Sequence, residues 1–321
     1  MERIYNPYLS NSLFFKPEQM YGDNRKVFES LDHIVHGKLY FLAERRKVRV
    51  DPRSIVLSED GKITFVLILD DGQRRSFCFP FAPTIINLGH LFKKYYGNAE
   101  TLQRYVIGVR DHDEYLSRYR QRKPSLIGVS LNPGAQSSRN IALKIHTPDE
   151  RVEDFTLSIH GILSEFQFEL GDFPKIIYIG KSENLQDRIY RHEHIQEALA
   201  TVGDDHDMYL YAFQFDASVI TLGESPGMMS MIHRDHVRDI SADQQLALVE
   251  MALINYFKPR LNTHYKRVEI ASNEKFNEAL GGKYSQIVLE VDNDGDFWNF
   301  GSDFVSAAQR HQIEYSVHAR L

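Results

Sequence analysis

The sequence predicts an α+β protein. A basic, mixed but β-rich N-terminal domain is followed by a central α/β domain and a small C-terminal αβ appendage. Three observations carry this expectation. Between Lys38 and Pro80, short apolar or alternating runs follow one another with turn residues between them, the pattern of strands. Between Lys175 and Asn262 the apolar spacing switches back and forth between a period of two and that of a helix, giving strand, helix, strand, helix. Charge also divides the chain. Residues 1–150 hold 23 Lys+Arg against 17 Asp+Glu, a balance of +6, whereas residues 151–321 hold 15 against 27, a balance of −12. Domains are expected over 1–150, 151–265 (with an insertion near 217–240) and 266–321, the first boundary falling near 147–155.

In chain order, residues 1–36 are aromatic-rich and irregular, an arm for another domain or for a second subunit of a homodimer. Ile63–Leu69 and Arg75–Phe79 read as two strands joined by an Asp-Gly turn. Arg45, Arg46 and Lys47 form a basic edge, either a solvated strand that discourages aggregation or a phosphate contact. Residues 83–97 read as a helix. In 113–123, Arg118, Arg120, Arg122 and Lys123 are interleaved with Tyr115 and Tyr119, a composition that suits a solvated helix or a nucleic-acid contact equally. Ile141–His146 and Asp154–Ile159 are strand-like. After Asn262 come a short helix near Phe276, a strand at Ile287–Val291, an acidic turn, a helix at Asp303–His311 and a strand at Ile313–Val317.

Composition narrows the class. A 42% hydrophobic content is that of an ordinary globular chain. No apolar run approaches the roughly 18 residues of a membrane helix, and the N-terminus lacks the form of a signal peptide. The single cysteine, Cys78, excludes an intrachain disulfide, and its phenylalanine neighbours predict a buried thiol. The expectation is a cytoplasmic protein with no membrane partner.

The central stretch carries the chemistry. Ile176–Gly180 reads as a strand ending at glycine, and Ser182 as the N-cap of a helix over 184–199 that places Arg188 and His192 one turn apart. Met208–Phe215 is a strand. Ser241 and Gln244 have the form of a capping box, and Pro259 stops the following helix near Lys258. Leu246, Val249, Leu253 and Phe257 make its apolar stripe. Glu250 lies within that stripe, where a carboxylate is costly unless a cation offsets it.

Tyr178-Ile179-Gly180, with Arg188 ten and His192 fourteen residues beyond the tyrosine, then Glu250 and, twelve further on, Asn262, resembles the GIY-YIG nuclease family. Lys181 and the segment Asn255–Asn262 match it too. The resemblance spans about residues 160–265. It implies a small central antiparallel sheet flanked by helices, and a metal-dependent DNA endonuclease, site-specific in a restriction or defence role. The alternative is a catalytically weak or inactive nuclease-like DNA-binding protein. It also implies Mg²⁺ (or Mn²⁺) on Glu250, Arg188 on the scissile phosphate, Lys181 adding charge, Asn262 fixing the second helix, and double-stranded DNA as partner. The first-strand tyrosine is missing at its usual spacing, where Gln167 and Phe168 stand. Gly161-Ile162-Leu163 is the nearest relic. The proton then falls to Tyr178, to His192 or to a metal-bound hydroxide, with His192 expected to matter at least as much as Tyr178.

Overall fold

Arg45 and Leu170 mark the two crossings of the chain between its compact units: residues 1–45 and 170–321 form the first unit, residues 46–169 the second. The computed structural model describes residues 2–15, 39–58, 62–69, 72–80, 129–146, 152–166, 168, 170–182, 198, 202–203, 205–223, 229–233, 239–266, 270, 273–292 and 299–317.

The first unit is built on one seven-stranded sheet. Its strands are β1 (Glu2–Phe15), β2 (Leu39–Arg46), β10 (Lys175–Lys181), β11 (His206–Leu222), β12 (Met229–His233), β13 (Gln286–Asp292) and β14 (Arg310–Ser316). The order is β10-β2-β11-β1-β13-β14, with β12 also on β11. β10 pairs antiparallel with β2, β11 with β1 and β12, and β13 with β14, while β1 and β13 run parallel. Helices α2 (Ala242–Phe257) and α3 (Glu274–Leu280) belong to this unit.

The second unit holds a four-stranded sheet of β3 (Val48–Val50), β4 (Val56–Leu57), β5 (Lys62–Leu69) and β6 (Arg74–Pro80). A three-stranded sheet of β7 (Val129–Leu131), β8 (Asn140–His146) and β9 (Val152–Ser158) and helix α1 (Ile159–Glu165) complete its described elements. The Phe65, Phe77 and Phe79 rings of its first sheet meet Phe166 and Phe168, which follow α1.

This overturns the expected fold class. Of the described residues 53% are in strands and 20% are helical, with three α-helices. The fold is mostly β rather than a small sheet flanked by helices. The reason lies in recruitment: one sheet takes strands from the expected arm, from the N-terminal half and from the C-terminal segment. Residues 2–15 are not irregular but a central strand. Asn6-Pro7 reads as a turn signal, and Pro offers no N–H in a ladder. The strand survives because the buried Asn6 side chain bridges its neighbours, donating to the Val288 carbonyl at 2.7 Å and accepting from Ser218 Oγ at 3.1 Å. A bulge between Leu9 and Asn11 breaks the alternation once more. Residues 217–222 continue β11, and β12 folds back upon it.

Two faces enclose the first unit's cores. On one, Phe15, Tyr40, Leu42, Ile177, Tyr178, Met208, Leu210 and Ala212 pack with Ala198. On the other, Phe41 and Phe213 meet Phe257 of α2 and Phe300. His311 is buried there. Its Nε2 donates to the Phe300 carbonyl at 2.9 Å, which leaves Nδ1 as acceptor for the Tyr256 hydroxyl at 3.4 Å. Burial holds its pKa below the ordinary histidine value. The unfolded chain therefore takes up this proton more readily than the folded one. The stability that neutral His311 contributes is complete above about pH 6.5 and is lost as pH falls toward its lower native pKa. Chemical denaturation between pH 7 and 5 should accordingly show a shallower loss of stability in His311→Asn than in the wild type. Parallel slopes would remove His311 from the account.

Cys78 corrects a further expectation: the thiol is exposed. Alternation on β6 turns Phe77 and Phe79 toward the phenylalanine cluster and the cysteine between them the other way. Among the described residues, no helix is long and apolar enough to cross a membrane.

Candidate functional site

Tyr178 owes its position to a bulge. The pairing of β10 with β2 steps from Ile176↔Ala43 to Tyr178↔Leu42, leaving Ile177 as an extra residue. Ile177 and Tyr178 therefore both enter the same core, where strict alternation would have separated them. Beyond the bulge, Gly180 lies opposite Tyr40. The Tyr40 and Tyr178 rings stand 5.8 Å apart and close over this glycine. A Cβ at Gly180 would lie 2.7 Å from Tyr178 Cε1 and 2.8 Å from the Tyr40 hydroxyl. Only glycine fits beneath both rings, which gives the tripeptide Tyr178-Ile179-Gly180 a steric reason.

Tyr40 is the residue that sequence spacing missed. It lies on the strand paired with β10, next to Tyr178, but residues 46–169 come between the two strands. The expected relic Gly161-Ile162-Leu163 is part of helix α1, and Phe168 packs on Phe77 at 4.9 Å, both within the second unit. The signal was present in Leu39-Tyr40-Phe41-Leu42, a short apolar strand with one tyrosine.

On the opposite face, α2 starts at the expected capping box, in which Ser241 Oγ accepts from Gln244 N and Gln244 Oε1 accepts from Ser241 N. It ends at Lys258, which adopts φ 51° and ψ 51°, as suits a residue denied the right-handed helical region by Pro259. Glu250 is not sunk in the apolar core. Its Oε2 is 3.4 Å from Lys181 Nζ, with the two side chains 16% and 45% exposed.

Asn262 then returns to β10. Its Oδ1 accepts from Ile179 N at 2.9 Å and its Nδ2 donates to Ile179 O at 2.8 Å, while Leu261 N donates to Ile177 O at 2.9 Å. The side-chain amide thus acts as one more peptide along the outer edge of β10 and brackets Tyr178 from behind. Arg260 ties the same segment to Glu44 at 2.6 Å. Asn262→Ala should leave the Ile179 N–H and C=O without these bonds and cost about 1–3 kcal/mol, read as a lowered denaturant midpoint. Unchanged stability would mean that water replaces the amide at no cost.

The structure therefore joins Lys181 to Glu250, and Asn262 to the backbone beside Tyr178. The Tyr178 ring lies on the other face of the strand, with Tyr40. Arg188 and His192 fall outside the described residues, as do Arg118, Arg120, Arg122 and Lys123. Of the expected basic edge, Arg46 is exposed and Lys47 half-buried. Arg45 is buried, at 3% exposure, and donates to the Asp172 carbonyl at 3.1 Å. Burial lowers its pKa, with Tyr209, Asp172 and Tyr211 opposing the shift. Arg45 staples the chain where residues 46–169 leave and rejoin the first unit, which is a structural use of its charge.

Among the described residues no group of three or more His, Cys, Asp or Glu side chains is placed to hold a metal ion. One carboxylate still fits a hydrated Mg²⁺, which retains most of its water and takes one or two carboxylates together with phosphate oxygens. The Lys181 ammonium now balances Glu250 and, on a flexible stem, can yield to such an ion. No protein-family model, curated protein or solved structure matches the chain.

Proposed function

We propose that the first unit carries a divalent-metal-dependent phosphodiester-hydrolysing site acting on DNA, with residue roles like those of GIY-YIG nucleases. One observation carries the reading. β10 carries a tyrosine pair over Gly180 on one face, a carboxylate with a lysine on the other, and along its edge an asparagine from the segment that follows α2, from positions as far apart as 40 and 262. Chance recurrence of a Tyr-Ile-Gly tripeptide gives no reason for the remaining members to meet the same strand.

In this reading Glu250 would hold Mg²⁺ or Mn²⁺, which when bound supplies charge compensation for the phosphate and acidifies a water. Lys181, freed from Glu250, pairs with a phosphate oxygen. Tyr178, 7% exposed, is assigned the attacking water, and the fully buried Tyr40 beside it positions the Tyr178 ring. Asn262 holds Ile179 and thereby the rings. Arg188 is assigned the scissile phosphate and His192 a supporting proton-transfer role.

A second reading, a nuclease-like DNA-binding protein without hydrolysis, draws on the Lys181–Glu250 pair, since a cation already satisfies the carboxylate. Supercoiled plasmid incubated with the protein, with and without Mg²⁺ or Mn²⁺, separates the two. Nicking or linearisation that needs the metal is expected. Retention without any cleavage in either metal would leave the binding protein.

A further inference from the structure

Four large apolar side chains stand exposed among the described residues: Val56 (55%), Val152 (52%), Met231 (63%) and Phe304 (70%). Phe304 is the one aromatic, and the backbone on both sides of it is tied down by hydrogen bonds. Phe300 is anchored in the core, with Ala308 N and His311 Nε2 both bonded to its carbonyl. The next residue, Gly301, bonds through both N–H and C=O to the start of β10. The buried Ser302 accepts through Oγ from Phe304 N and Val305 N, each at 3.1 Å, and donates its own N–H to Val305 O. A large ring is thus presented to solvent on a hydrogen-bonded turn.

Charge decides what would meet it. The first unit as a whole holds 20 Lys+Arg against 29 Asp+Glu, a balance of −9. Residues 258–266, from the end of α2 through Asn262, nevertheless carry Lys258, Arg260 and Lys266 and no carboxylate, although Arg260 is already paired with Glu44. Lys258 Nζ stands 5.8 Å from the Phe304 ring centroid. One acidic neighbour, Asp303, is engaged by Lys175 at 3.1 Å. An exposed aromatic beside a cationic segment suits a nucleotide, whose base stacks on the ring while its phosphate meets the ammonium.

We infer that Phe304 is a nucleobase-stacking contact, with Lys258 on an adjacent phosphate, beside the start of β10 and along that strand from the Lys181–Glu250 pair. The assignment rests on the proposed nuclease reading and deepens it by naming where the nucleic acid is gripped.

The test uses the full chain in EDTA, so that binding is read without hydrolysis, with fluorescein-labelled DNA oligonucleotides carrying 2-aminopurine at scanned positions. Phe304→Ala and Phe304→Leu should each weaken binding about ten-fold or more and abolish the 2-aminopurine response, whereas Phe304→Trp should retain both. Wild-type affinity and an unchanged 2-aminopurine signal in Phe304→Ala would overturn the inference. So would rescue by leucine, which offers area without a ring face. If the wild type self-associates and Phe304→Ala dissociates it without altering DNA affinity, the ring belongs to a contact between copies, and the stacking contact is refuted. Metal-dependent plasmid cleavage would survive each of these failures, so the nuclease reading stands or falls separately. A wild type that binds no DNA removes both.

Discussion

Glu250→Ala should abolish divalent-dependent plasmid cleavage while leaving the thermal transition nearly in place. The carboxylate is paired to Lys181 at the end of β10, and a partly exposed ion pair of this kind contributes only about 0–1 kcal/mol to stability. The folding consequence is therefore small and the catalytic one large, at least the 10²–10⁴-fold that a single positioned group typically supplies. Glu250→Gln distinguishes charge from shape, since the amide keeps the volume but removes the negative charge. Full activity of either variant in Mg²⁺ would remove Glu250 from the metal site.

The second large effect is expected at the tyrosine pair. Tyr40→Phe and Tyr178→Phe each delete one hydroxyl and keep the ring that packs over Gly180, so folding should be nearly preserved. Single-turnover rates at saturating protein should fall by about 10²–10⁴ where the Tyr178 hydroxyl assigned to the water is removed, with binding unchanged. Sequence spacing alone favoured His192, whose ordinary pKa is nearer neutrality. With the buried Tyr40 positioning Tyr178 over Gly180, the double Phe variant is expected to lose more than His192→Ala across pH 6 to 9. A double Phe variant with a normal rate would return the base role to His192.

What the sequence revealed and what it hid follow from how local each signal is. The α2 helix was legible at both ends because a capping box and a proline act over a few residues. Tyr178-Ile179-Gly180 and Asn262 were legible because their constraint, two rings over a glycine and an amide along one strand edge, leaves a short motif. Tyr40 was hidden because its partner strand lies 135 residues further on, and spacing rules carry no information across an insertion. β1 was hidden because Asn6 and Pro7, ordinarily turn formers, are accommodated by a side-chain amide filling a gap in the ladder. Arg45 was misleading in the opposite sense. A basic run reads as surface, yet alternation on β2 turns Arg45 inward, where a carbonyl receives it. The charge division also changes with the true chain path, for residues 46–169 carry 18 Lys+Arg against 15 Asp+Glu, +3 rather than +6.

The position of β1 between β11 and β13 has a consequence for synthesis of the chain. Its residues are made long before their partners, the antiparallel ones of which begin at Leu210 and the parallel ones at Gln286. At translation rates of about 5–20 residues per second, β1 and β2 wait roughly 10–40 s for β11. Meanwhile residues 46–169, complete far sooner, are free to fold on their own. During that interval Tyr5, Phe14 and Phe15, destined for the core, have no native partner strand, and Leu39–Ala43 have none until β10 emerges from Lys175. The nascent N-terminus is thus the segment most in need of a holding chaperone, and slowing elongation after residue 170 should lower the soluble yield more than slowing it before residue 46.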